Sequence, residues 1–420
     1  MSAVYPITYW YGIRKEHLCR ERLIEAQNAG FNLIECAYDT ETNLQVLAWC
    51  AELGLRANVQ DARMGVALEG KPGWEAALDG MIADYRDCPA LNRFFVRDEP
   101  MDDYFPTLGR VVDYLHEHDP IHGEYINLLP SVAVPPASPE RYRQHLAAYL
   151  NAVHPQLLSY DHYNLMWREV PALGDLPEAA VSEENRARNG WEGKVFEAYD
   201  REGYYDNMEM IRTAAAEAGL PWMTIILLVE HWGYRLPSEG ELRWEAFNAL
   251  TYGSTGLSYF TYWTPGVDHD EPWSYHNGII LSDGTRGEKY EIVKSINREL
   301  QVLYRGLLGA LPGRTYAPGK LISEAVFHVG SEADGLVKPF EGYGALRRLS
   351  GGRFVVGCFA DGRFLITAKD HDAPQTLHIE ADAPLLRLNK ETEIWEDCPA
   401  DVTFAPGDGQ LFAVTEPTNA

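Results

Sequence analysis

Along the chain, short apolar runs alternate with longer stretches in which apolar residues recur every three or four positions. The runs have strand length and the stretches have helical period. Runs at 5–11, 31–38, 55–60, 92–97, 124–129, 157–162, 223–230 and 256–263 predict eight strands. Between them, 18–29, 44–53, 74–85, 104–116 and 141–153 read as helices, and 288–308 as a last one. Gly30, Gly54, Gly219 and Gly256 precede strands two, three, seven and eight, where helix C-terminal caps belong. Strand then helix, eight times over, predicts an α/β fold, a closed (β/α)8 TIM barrel. An open doubly wound sheet is the alternative, but it needs a glycine-rich phosphate loop after strand one. The segment Tyr9-Trp10-Tyr11-Gly12 offers none.

Beyond residue 320 the pattern changes to period two with tight turns, as in 354–359, Asp361-Gly362 and 364–368. Residues 1–310 are therefore expected to form the barrel and 320–420 a C-terminal β-sandwich. Leu311-Pro312-Gly313 and Ala317-Pro318-Gly319 read as the linker. A barrel takes about 250 residues or more, so 420 residues accommodate both units. Two loops, 164–199 after strand six and 264–283 after strand eight, are long and rich in Trp, Tyr, Glu and Asn. Such loops are usually functional, and these are expected over the barrel mouth.

Composition adds limits. Apolar residues at 46% and charged residues at 23% describe an ordinary globular chain. With 11 Trp, 24 Tyr and 14 Phe, there are rings enough both for the core and for lining a cleft that holds sugar faces. A net charge of -26 without a Lys/Arg cluster excludes nucleic acid as a partner and favours an uncharged or cationic small substrate. The six cysteines show neither CxxC nor Cys/His finger spacing, so no metal module, disulfide framework or cofactor is indicated. Residues 1–10 lack a secretory pattern, and the longest apolar run, 222–229, is too short to span a bilayer. A cytoplasmic protein with no membrane partner is expected, the β-domain shielding the barrel or joining a homo-oligomer.

Candidate chemistry lies at strand exits. Asp98-Glu99-Pro100 closes the run 91–97, and Glu230-His231-Trp232 closes 222–229. Catalytic groups of such barrels sit at these ends, and two carboxylates meeting across the mouth can cleave a glycosidic bond. Glu99 and Glu230 end strands four and seven. Pro100 biases Glu99 towards an extended conformation. A retaining mechanism needs the two carboxyls about 5 Å apart, one ionised and one protonated near neutral pH. Burial among Phe94, Phe95 and Trp263 would raise a carboxyl pKa, and Arg97 would favour ionisation of a neighbour. The other strand ends supply Trp10, Tyr11, Asp39, Asp61, Asn127, Tyr160, Asp161, His162, Tyr163, Tyr262 and Trp263. Side-chain alternation favours Asp161 and Tyr163 over Tyr160 and His162 for the mouth. Asp98, Asn127, Asp161, Tyr163, Tyr262, Trp263, Trp10 and Asp39 form the expected carbohydrate-binding set.

The chain also resembles the clan of retaining glycoside hydrolases with (β/α)8 barrels. The likeness runs through Arg243-Trp244-Glu245-Ala246-Phe247-Asn248-Ala249-Leu250-Thr251-Tyr252-Gly253, then Gly256-Leu257-Ser258-Tyr259-Phe260-Thr261-Tyr262-Trp263, Ser282-Asp283-Gly284 and Lys289-Tyr290. These segments are similar to those of family 42 β-galactosidases and their relatives. The resemblance implies an acid/base at Glu99 and a nucleophile at Glu230. One departure stands out: the clan has Asn before the strand-four Glu, contacting the sugar 2-hydroxyl, where this chain has Asp98. Two rivals stay open, a metal-dependent sugar isomerase or epimerase using Glu99, Asp161, His162, Glu230 and His231, and a non-catalytic carbohydrate-binding barrel.

Overall fold

A computed structural model describes residues 4–170, 191–231, 233–265, 275–311, 323–331, 333, 335–359 and 362–415. The first strands are β1 (Ile7–Tyr9), β2 (Leu33–Cys36), β3 (Arg56–Val59), β4 (Leu91–Asp98), β5 (Gly123–Leu128) and β6 (Leu158–Asp161). A hairpin, β7 (Leu165–Val170) and β8 (Val195–Asp200), interrupts the series before β9 (Trp222–Leu227) and β10 (Leu257–Phe260). Apart from the hairpin, these eight pair in parallel in the order β1-β10-β9-β6-β5-β4-β3-β2. Asn32 draws the two ends together. Its backbone N–H donates to the Ile7 carbonyl (3.2 Å), while its side chain accepts from the Ile7 N–H (3.0 Å) and donates to the Tyr5 carbonyl (2.8 Å). The result is a TIM barrel.

The surrounding helices are α1 (Arg20–Asn28), α2 (Thr40–Leu53), α3 (Ala62–Leu68), α4 (Trp74–Tyr85), α5 (Phe105–His118), α6 (Pro139–Val153), α7 (Tyr204–Ala218), α8 (Glu239–Thr251) and α9 (Lys289–Leu308). Gly54 and Gly219 end α2 and α7 in the left-handed conformation, as their positions predict. Gly256 does not do so. Gly253 takes the left-handed turn after α8, at φ 85°, and Gly256 lies against the carbonyl of Pro6 where β10 begins. Asp61 caps α3 and pairs with Arg63, and so is spent on a helix start. Among the described residues, no helix is long and apolar enough to cross a membrane.

The C-terminal strands are β11 (Ala325–Val329), β12 (Leu346–Ser350), β13 (Phe354–Cys358), β14 (Arg363–Ala368), β15 (Gln375–Ala381), β16 (Leu385–Leu388), β17 (Trp395–Asp397), β18 (Asp401–Phe404) and β19 (Gly409–Val414). They form a six-stranded sheet, β11-β13-β14-β19-β16-β17, and a three-stranded one, β12-β15-β18. Val356, Phe364, Ile366 and Phe412 of the larger sheet pack on Leu349, Leu377, Val402 and Phe404 of the smaller, a β-sandwich built by period-two alternation. The alternate residues Val355, Leu365 and Leu411 instead join the barrel's own core. Helices α8 and α9 supply the contact: the hydroxyls of Thr251 and Thr367 hydrogen-bond at 2.7 Å, and Arg363 donates to the Gly306 carbonyl at 2.8 Å.

Backbone meets backbone here. A Cβ on Gly357 would stand 1.9 Å from the carbonyl oxygen of Thr251 in α8. Gly357→Ala should therefore lower stability by about 1–3 kcal/mol, since neither sheet nor helix can yield locally. A melting temperature equal to that of the parent would contradict this packing.

Candidate active site

Strand β4 delivers two acids to one place because it is not regular. Its register with β5 shifts between Phe95 and Arg97, a bulge at Val96, so Arg97 opposes Ile126 and Asp98 opposes Asn127. Phe95 and Asp98, three residues apart, consequently line the same cavity. Glu99 then leaves the strand at φ 47°, in the left-handed region, not in the extended conformation that Pro100 leads one to expect. Its backbone N–H still donates to the Asn127 carbonyl at 2.8 Å, carrying the ladder one residue further while the chain turns away. Such a conformation costs a non-glycine residue about 1–3 kcal/mol and tends to occur at functional sites.

Asn127 is the centre of the polar cluster. Its side-chain N–H₂ donates to Asp98 at 3.1 Å and to Asp161 at 2.7 Å, and its oxygen accepts from Ser159 at 3.0 Å. Both amide donors are thus engaged by carboxylates and the acceptor is satisfied within the barrel, which fixes the ring of groups. Asp161 in turn hydrogen-bonds the Glu99 side chain. Asp98, Glu99, Asn127 and Asp161 line a cavity of about 320 Å³ together with Trp10, Tyr163, Arg201, His231, Tyr234, Phe260 and Tyr275. Asp98, Trp10, Phe260 and Tyr275 also border a second space of about 700 Å³ over β1 to β4, into which Glu35 and Tyr125 project.

The electrostatics follow from this crowding. Asp98 and Glu99 are open to solvent along the cavity mouth, but protein removes water from their other sides. Burial, then the neighbouring Asp98, push Glu99 up to about 7, against the hydrogen bond with Asp161. Asp161 is enclosed, and burial followed by the facing Glu99 and Asp98 holds it well above the usual carboxylate range. Asp98 is also raised by burial, with the bond from Asn127 pulling the other way. Burial pushes His231 down to about 4, so its imidazole is neutral at neutral pH. Inside the barrel, burial raises Glu35 to about 8 despite hydrogen bonds from Thr8 and Asn58, both 2.7 Å.

One wall is aromatic. Tyr163 stands 5.6 Å from Tyr234 and 5.5 Å from Phe260, and His231 stacks 5.0 Å from Tyr275. Trp10 meets Phe95 edge-on at 5.6 Å, and both border the larger neighbouring space. Flat apolar faces beside convergent polar groups make a site suited to a ring-shaped, hydroxyl-bearing ligand.

No family model and no curated protein sequence matches the chain. Solved structures do. One of a glycoside hydrolase aligns over 99% of this chain and 92% of its own, at 11% identity and a TM-score of 0.55. A family 39 glycoside hydrolase from the gut symbiont Bacteroides cellulosilyticus WH2 aligns over 98% and 81%, at 10% identity and a TM-score of 0.51. The fold is theirs: a TIM barrel followed by a β-sandwich. A GH2 β-galacturonidase from Eisenbergiella tayi bound to galacturonate aligns over 66% of this chain at 17% identity. This chain spans only 46% of that enzyme's length, and the TM-score of 0.42 is too low to bear on function. Membership of family 42 in particular is not shown.

Of the residues expected to carry the site, Asp98, Glu99, Asn127, Asp161, Tyr163 and Trp10 line the cavity together. Tyr160 packs 6.2 Å from Trp222, and His162 hydrogen-bonds Asn207 of α7 at 2.9 Å. Glu230 is buried, its backbone bonded in both directions to His276 (3.2 and 2.9 Å), and it is the next residue, His231, that lines the cavity. Tyr262 and Trp263 lie outside it: Tyr262 stacks on Tyr9 at 4.5 Å, and Trp263 packs against His17 and beneath Arg22. Asp39 caps α2 and pairs with Lys15 at the surface. Trp232 and much of both long loops lie outside the described residues. Among the described residues, no group of three or more His, Cys, Asp or Glu side chains is placed to hold a metal ion.

Arg201, His231, Tyr234, Phe260 and Tyr275 were not singled out as lining from the sequence. For His231 the apolar run suggests a strand that has already ended. β9 ends at Leu227, so side-chain alternation does not carry on to Glu230 or His231. Tyr234 and Tyr275 come from loops, where no periodicity announces direction.

Proposed function

We propose that the protein is a glycoside hydrolase that removes a terminal sugar from an oligosaccharide or glycoside, with Glu99 as the acid. The observation that carries this reading is a carboxyl held at about 7 at the exit of β4, hydrogen-bonded to a second carboxyl and facing an aromatic wall. A protonated Glu99 can donate to the departing glycosidic oxygen and, once ionised, activate the water that completes the reaction. The outline shared with solved glycoside hydrolases agrees with this proposal.

A double displacement needs a second carboxylate as nucleophile, and Glu230, at the exit of the seventh barrel strand, is the residue proposed. A second reading assigns that role to Asp161, because Asp161 lines the cavity and Glu230 does not. Its hydrogen bond to Glu99 places the two carboxyls closer than the 5–5.5 Å or so that a retaining pair spans, which favours a positioning role for Asp161. Aryl glycosides of galactose, glucose, arabinose, fucose and xylose, with the released anomer followed by NMR, test the class and stereochemistry. Glu230→Ala should lose hydrolysis of every leaving group and regain part of it with azide. If Asp161→Ala behaves so instead, the nucleophile is Asp161. If azide rescues neither variant, the double displacement is wrong.

A further inference from the structure

Arg201 follows β8 directly, and its backbone N–H donates to the Asn164 carbonyl at 2.6 Å. Its guanidinium lies 5.5 Å over the ring of Tyr234 and hydrogen-bonds that side chain. It is the one Lys or Arg among the described residues lining the Glu99 cavity, and it also borders the neighbouring space of about 510 Å³ beside α7. With His231 neutral, it is the permanent positive charge of that wall.

Its partners are what set it apart. Three arginines carried by α7, α8 and the loop before α8 are taken up by carboxylates: Arg235 by Asp200 and Glu241, Arg212 by Glu209, Arg243 by Glu299 and Asp408. Asp200, the residue before Arg201, is thereby occupied by Arg235 and also by His371. Among the described residues, no carboxylate lies within ion-pair distance of Arg201, although the chain carries 62 acids against 36 Lys and Arg. A half-buried guanidinium stacked on a ring keeps its planar N–H edge for a planar or tetrahedral anion, bound by two parallel hydrogen bonds.

We propose that the sugar removed at this site carries an anionic group, a carboxylate or a sulfate, and that Arg201 binds it. This rests on the glycosidase reading and narrows it, and it reverses the preference for an uncharged or cationic substrate that net charge alone gives. Net charge is a property of the whole surface, whereas the cavity has its own balance. Glu99, Asp161 and Asp98 are all held above the ordinary carboxylate range, which reduces the negative charge an incoming anion meets there.

Binding of free galacturonate, glucuronate and galactose 6-sulfate, set against galactose and glucose, separates the two anions and tests the idea by calorimetry without relying on turnover. At least one acidic sugar should bind about tenfold or more tighter than its neutral counterpart. Arg201→Gln should bring that ratio close to one, and Arg201→Lys, which keeps the charge but loses the fork, should retain part of it. Thermal unfolding of both variants checks that they fold. Equal affinity for acidic and neutral sugars, a ratio that Arg201→Gln leaves in place, or no binding of any acidic sugar overturns the proposal. Arg201-dependent binding without hydrolysis of any aryl uronide or sulfated aryl glycoside upholds the anion site and overturns the glycosidase reading instead.

Discussion

Glu99→Gln should lower kcat on a glycoside with a poor leaving group by about 10²–10⁴-fold, the range expected when a general acid is lost. An activated aryl glycoside, whose phenolate departs with little protonation, should suffer far less in the step that cleaves it. The pH profile carries a second signature. Burial and Asp98 raise Glu99 to about 7, so its proton is present below that pH and lost above it. The parent's kcat/KM, which reports the free enzyme, should therefore fall as pH rises through about 7, and Glu99→Gln should lack that limb. A variant with the parental limb, or equal losses on both leaving groups, would remove Glu99 from the acid role.

Arg243→Ala should be the most damaging change remote from the cavity. Arg243 of α8 grips Glu299 of α9 through two bonds of 2.8 Å and reaches Asp408 of the sandwich at 2.7 Å. Lys390 touches the same two carboxylates at 2.5 Å each. Against burial, which raises it, Arg243 and Lys390 hold Glu299 down at about 2. Without Arg243, two buried carboxylates share one ammonium. Removing one partner of a buried ionic group costs about 3–5 kcal/mol, much more than an exposed pair would. Urea denaturation followed by tryptophan fluorescence should show a loss of this size, and a loss under about 1 kcal/mol would mean that water or rearrangement compensates.

How far the sequence reaches is clear from individual residues. All eight barrel strands fall on the eight apolar runs, because buried parallel strands need continuous apolar sequence and the intervening helices need a different period. Direction along β6 was readable too: alternation turns Asp161 and Tyr163 to the cavity and His162 to α7. Direction at the strand exits was less so. The bulge at Val96 changes which β4 side chains share a face, and no residue type there announces it. Beyond β9, the Leu228 and Val229 N–H groups both approach the Phe260 carbonyl, at 2.7 and 3.3 Å, so the strand has ended before Glu230. The apolar run continues to Val229 because the segment stays buried, and burial alone does not distinguish a strand from its exit. Arg201 and Tyr275 arrive through loops whose placement depends on what they pack against.

The bulge at Val96 also decides what the departure at Asp98 stands beside. An insertion in one strand shifts every later residue by one place against its neighbour, and here it brings Asp98 level with Asn127. The group it meets across the ladder, on the adjoining strand, is an amide, hydrogen-bonded to it at 3.1 Å. A linear alignment compares positions along one strand and so scores a loss. The barrel counts by position around its rim, and there Asp98 is read together with the amide of Asn127 and with Asp161, which the same amide holds.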